Sequence, residues 1–155
     1  MRRLKIYNKN EHKEIERKLN QKYGISEIKG LIMRRGEERL FLYTGSLKPN
    51  EIKIFEKISQ IERAGFYFAR VVRDEIRLSI EGTHFFKDQI SKNIFKLDDE
   101  LLGQWMKGQE LYIKTGKKEF LVMKHGEDLI GCGKASAEKI SNFVPKSRRI
   151  KNRQN

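Results

Sequence analysis

The sequence predicts an α+β chain in two units, and three observations carry that. Apolar residues recur at helical spacing in two early stretches, strand-like runs of four to eight residues lie between and after them, and the apolar density drops at THFFKDQISKN before new short runs begin. The boundary falls near Lys87 to Ser91. This sets an N-terminal unit over residues 1–88, mostly antiparallel sheet with two helices on one face, before a smaller β-rich unit over residues 89–155. Each unit is expected to build its own apolar core.

The elements follow in order. RRLKIYN reads as a short first strand, and in NKNEHKEIERKLNQKYG the residues Ile15, Leu19 and Tyr23 fall four apart on one helical face, closed by Gly24. IKGLIMRRG and ERLFLYTG form a hairpin turning at Gly36-Glu37. KPNEIKIFEKISQIERAG returns to helical spacing, with Ile54, Ile58 and Ile61 in register after a proline suited to a first turn. FYFARVVRDEIRLSIEGTHFF reads as a second hairpin turning at Arg73-Asp74-Glu75. In the second unit Asp98 and Asp99 can cap a short helix carrying Leu101, Leu102, Trp105 and Met106, which Gly108 ends. QELYIKTG, KKEFLVMKHG and EDLIGCGKAS then predict a small meandering sheet or barrel, and the second unit as a whole, at about 65 residues, is near the lower limit for an independent core, so it should lean on the first.

Composition narrows the partners. Against 21 Asp plus Glu stand 34 Lys plus Arg, a formal net charge of +13 that repels itself unless a polyanion is a usual partner. Nucleic acid is the first candidate. A membrane surface is the competing polyanion, but the chain has no run of 18 apolar residues and no apolar signal core, so a cytoplasmic protein without a membrane partner is expected. Cys132 stands alone and His12, His84 and His125 lack metal-site companions, so neither a disulfide framework nor a metal site is expected.

The C-terminal stretch GCGKASAEKISNFVPKSRRIK is the least generic. Gly131 and Gly133 leave backbone N–H groups uncovered, and Lys134 places a charge beside them, a combination suited to phosphate. The other reading, that the glycines only turn the barrel wall and Lys134 is solvated, stays open. Lys146, Arg148, Arg149 and Lys151, with Arg153 beyond, form a basic run that Pro145 and Ile150 bracket and could pin to the barrel; a solvated tail is the alternative.

On these residues, GxGK followed by a short helix and then PKxRRI, the second unit resembles a PUA domain, the small RNA-binding β pseudo-barrel. In particular it looks like the C-terminal end of Sun/Fmu-type RNA cytosine-5 methyltransferases. The two-unit layout resembles stand-alone archaeal ribosome-biogenesis proteins in which a pre-PUA domain precedes the PUA domain. The chain has no glycine-rich nucleotide-binding turn and no Pro-Cys motif of the kind such methyltransferases carry. The resemblance therefore implies the RNA-handling end without the enzyme: a non-catalytic protein with no cofactor, binding structured rRNA or tRNA in ribosome biogenesis or RNA modification, beside a biogenesis or RNA-modifying protein. The alternative is an RNA-modifying enzyme or an accessory subunit of an RNA methyltransferase. Gly131, Gly133, Lys134, Lys146, Arg148, Arg149 and Lys151 are the expected RNA contacts, and no residue is nominated as catalytic. Cys132 reads as a buried structural thiol. Tyr67, Phe68, Tyr112, Phe120 and Trp105 read as core, while Arg34 and Arg35 at a hairpin tip could widen the footprint.

Overall fold

Asn8 starts the first helix. Its side chain accepts from the N–H of Glu11 at 2.9 Å, and the Glu11 carboxylate accepts from the N–H of Asn8 at 3.1 Å, so two end donors are satisfied reciprocally. The computed structural model describes residues 4–58 and 65–151. Within them the N-terminal unit runs β1 (Lys5–Ile6), α1 (Lys9–Tyr23), β2 (Leu31–Arg35), β3 (Arg39–Tyr43), α2 (Pro49–Ile58), β4 (Phe66–Val72), β5 (Glu75–Leu78) and α3 (Ile80–Phe85). Its five strands form one antiparallel sheet in sequence order. The C-terminal unit runs β6 (Ile94–Lys96), α4 (Asp99–Met106), β7 (Phe120–His125), β8 (Asp128–Ala135) and β9 (Ile140–Ser141), with a 3-10 turn at Lys146–Arg148. Its four strands form a second sheet. The α+β class is borne out. No helix among the described residues is long and apolar enough to cross a membrane.

Four expectations are corrected. SIEGTHFF does not extend the second hairpin: the Ser79 side chain accepts from the N–H of Gly82 at 2.9 Å and begins α3. The helices do not share one face. Ile32 packs with Ile15, Leu19 and Tyr23 of α1, whereas its strand neighbour Met33, pointing the other way, clusters with Ile52 of α2. The C-terminal sheet is no simple meander, because β6 runs parallel to β7 and QELYIKTG forms no strand of it, pairing through one isolated bridge from Leu111 to Ile140. Among the described residues no α-helix follows Lys134; the chain instead forms β9, and a 3-10 turn lies at Lys146–Arg148. Ile61 and Arg153 lie outside the described residues.

The largest correction concerns the core. One apolar cluster joins Leu19 and Tyr23 of α1, Phe68 and Ile76 of the first sheet and Phe86 after α3 to Val122, Leu129 and Cys132 of the second sheet. Separate cores therefore do not describe this chain, although Leu97, Trp105, Leu121, Met123 and Ile140 make a further cluster inside the C-terminal unit. A unit of this size buries too little of its own surface, and sharing a core with the larger sheet supplies the rest. Polar ties reinforce the junction: Asn93 donates to the Lys22 carbonyl at 2.6 Å, and Lys22 pairs with Glu119 at 2.6 Å.

Candidate nucleic-acid interface

β8 carries the two glycines, and both are buried. At Gly131 the backbone has φ of +83°, the left-handed region that glycine enters without strain, and its N–H donates to the hydroxyl of fully buried Thr83 at 3.1 Å. A Cβ there would stand 3.0 Å from the Ile80 side chain, so Gly131 lets α3 settle on β8. At Gly133 a Cβ would fall 2.5 Å from Ile140 and 2.6 Å from Trp105. The expectation of uncovered amides aimed at phosphate is corrected at both positions. These glycines exist for close packing. Lys134 departs from expectation too: its ammonium pairs with Glu75 of the first sheet and lies 4.6 Å over the Phe120 ring. It stitches the two units together.

The basic segment behaves differently. Asn142 donates to the carbonyls of Trp105 at 2.8 Å and Gln109 at 3.0 Å, and accepts from the N–H of Val144 at 2.8 Å, fixing the chain after β9. Beyond Pro145, the N–H of Ile150 donates to the Met106 carbonyl at 2.8 Å and the Arg149 side chain donates to the Val144 carbonyl at 3.0 Å. The segment is thus pinned to the end of α4, by backbone bonds and not by the Ile150 side chain, which is 57% exposed. Gly108, at φ of +85°, leaves room for Arg149. Held this way, Lys146, Arg148 and Lys151 face solvent, with Arg148 paired to Glu81 at the start of α3. Anchored cations form a directed positive surface, one suited to a phosphate backbone.

Beside this segment a cleft of about 220 Å³ opens between the units, lined among others by Arg77, Ser79, Glu81, Phe143 and Arg148. The Arg77 guanidinium lies 4.1 Å over the Phe143 ring, which is 39% exposed. A cation stacked on a half-open aromatic offers both a charge and a flat face to a nucleotide. Sequence reasoning missed Arg77 and Phe143. The alternation in EIRL, apolar on either side of Arg77, marks an outward side chain, but nothing local shows that Phe143 meets it.

The remaining side chains take structural places. Burial pushes the Cys132 thiol up to about 12, with Tyr23 beside it; the Tyr23 hydroxyl, itself raised by burial, donates to the Ile76 carbonyl at 2.5 Å. A thiol so held has almost no thiolate near neutrality. Phe68, Phe120 and Trp105 are core as expected, but Tyr112 is 80% exposed. His125 meets Asp99 at 2.8 Å and ties the end of β7 to the start of α4.

Residues 92–150 match the family model described as the methyltransferase RsmF PUA domain. No curated protein matches the chain. The match runs from just before β6 to Ile150, so Lys146 and Arg148 fall within it and Lys151 lies one residue beyond. A PUA domain is an RNA-binding module, so the match supports RNA as a partner in general.

Proposed function

We propose that this chain, whose C-terminal unit is a PUA domain resembling that of Sun/Fmu-type methyltransferases, is a non-catalytic cytoplasmic protein that grips structured ribosomal or transfer RNA during ribosome biogenesis or RNA modification. The match over residues 92–150 carries the reading. The pinned basic segment supports it, because cations fixed on a folded surface select RNA shape where a loose tail would not. The inaccessible Cys132 thiol supports the non-catalytic part. Crosslinking in the native cell followed by sequencing of the attached RNA tests it. Enrichment of ribosomal or transfer RNA is expected, and an even spread over messenger RNA would overturn the assignment.

The name of the matching domain favours a second reading, an accessory subunit or RNA-modifying enzyme. Transfer of a labelled methyl group from S-adenosylmethionine to RNA by the purified chain alone would establish the enzyme. Stimulation of a separate methyltransferase, with no transfer by the chain alone, would establish the subunit.

A further inference from the structure

Four arginines stand opposite one another across four neighbouring strands. Arg35 of β2 faces Arg39 of β3, Arg39 faces Arg70 of β4, and Arg70 faces Arg77 of β5. Directly opposed residues project from the same face of a sheet, so the four form one row across the strands. Like charges in that position destabilise a sheet. Only Arg70 has a carboxylate partner, Glu38; among the described residues none is within ion-pair distance of Arg35, Arg39 or Arg77.

The backbone bends to keep the row intact. Strict alternation along β4 from Tyr67 would turn Arg70 toward the core side with Phe68. The register instead slips opposite Leu40 and Phe41, Phe68 and Ala69 are both fully buried, and Arg70 emerges on the face of Tyr67. Aromatic faces alternate with the charges: Arg39 lies 5.8 Å over Tyr67, and Arg77 sits over Phe143. The row also lines two adjoining clefts. Arg35, Arg39 and Arg70 line one, while Arg39, Arg70, Arg77 and Arg148 line the other, so the shared Arg39 and Arg70 join them into a path ending at the basic segment. Glu37, Glu38 and Glu81 are the carboxylates along it; Arg70 holds Glu38 and Arg148 holds Glu81.

We propose that the arginine row is a second RNA-backbone contact, along which a strand held by the C-terminal unit continues across the N-terminal sheet. This rests on the RNA-binding reading above. Phosphates supply the counter-charge the row lacks, guanidinium groups match phosphate oxygens two at a time, and the interleaved rings offer stacking faces to unpaired bases.

The test is a salt titration of a fluorescently labelled RNA stem-loop with a single-stranded extension, using the full chain and the variant Arg39→Gln/Arg70→Gln/Arg77→Gln. The slope of log affinity against log salt should flatten by about 2 to 3 units, and affinity at 0.1 M salt should fall about tenfold or more. Arg35→Gln, which removes a side chain without an ion-pair partner, should flatten it by slightly less than about one unit, and it decides the matter if the triple variant unfolds. If the parent binds and neither slope changes, the row is no RNA contact, the RNA reading survives, and an acidic protein becomes the occupant. If the parent itself does not bind the stem-loop, the RNA reading falls and takes this inference with it.

Discussion

Gly131–Lys134 and Lys146–Lys151 both belong to the C-terminal unit and both hold residues suited to phosphate, but they meet their surroundings in opposite ways. In the first, the glycines are closed over by Ile80, Ile140 and Trp105, and the lysine is spent on Glu75 and Phe120. In the second, the backbone is tied down by Met106 and Val144 while Lys146, Arg148 and Lys151 point out. The contrast teaches that a charge faces outward when the chain beneath it is fixed by its backbone, and turns inward when the same stretch is needed for close packing between the two units. Where close packing needs the glycines, they cannot also offer amides to a ligand.

The strongest way to break this contrast is to find the first stretch accessible. Cys132 lies between the two glycines, and its thiol is raised from 9.0 to about 12, so its thiolate fraction near neutrality is lower than a free cysteine's by about 1000-fold. Alkylation by iodoacetamide at pH 8 should be suppressed at least that far in the folded chain and restored in denaturant. A rate like that of free cysteine would mean β8 is open. The same burial makes stability depend on pH. The unfolded thiol ionises near its ordinary value and the folded one only near 12, so the contribution is whole below pH 9 and lost as pH rises from 9 toward 12. Urea midpoints across that range should fall more steeply for the parent than for Cys132→Ala.

Next in size is the packing itself. Gly133→Ala places a methyl group against Ile140 and Trp105 and should cost about 1 to 3 kcal/mol, read as a fall in Tm of about 2 to 4 °C per kcal/mol. An unchanged Tm would show that the strand yields easily. The binding side is sharpened by comparing Lys146→Gln/Lys151→Gln with Lys134→Gln in RNA titrations. The exposed pair should flatten the salt slope by somewhat less than about 2 units, while Lys134→Gln should leave it nearly unaltered. Equal effects would erase the distinction between inward and outward charges. The smallest effect is a control in the same unit. Gly103 lies within α4 with nothing within 4 Å of its missing side chain, so Gly103→Ala should stabilise by about 0.5 to 1 kcal/mol, visible as a small rise in Tm.

Much of the element order was legible from residue pattern. α1 announces itself by Ile15, Leu19 and Tyr23 and by its stop at Gly24, and α4 by Asp98 and the apolar residues after it. α3 was not, because Ile80, Phe85 and Phe86 have strand character and the deciding contacts are remote: a Cβ on Gly82 would stand 2.2 Å from the Phe68 carbonyl, so this turn of helix lies directly on β4. Of the candidate site, the pinned basic run was readable from Pro145 through Lys151. The reversal at Gly131, Gly133 and Lys134 was not, since Thr83, Trp105 and Glu75, which cover them, lie 28 to 59 residues away in the chain.

By itself, then, the sequence determined the α+β class, the main helices and hairpins and the surplus of positive charge, because these rest on composition or on spacings of a few residues, while the PUA-like ending was legible only as a resemblance to a known family. Tertiary structure alone decided that the two units share a core, that the glycines are closed over by packing, and that Arg35, Arg39, Arg70 and Arg77 align. Those outcomes depend on strand register and on which distant side chains arrive at a given face. A slip of one residue moves a side chain from core to surface, and no local pattern records where the partner strand will stop.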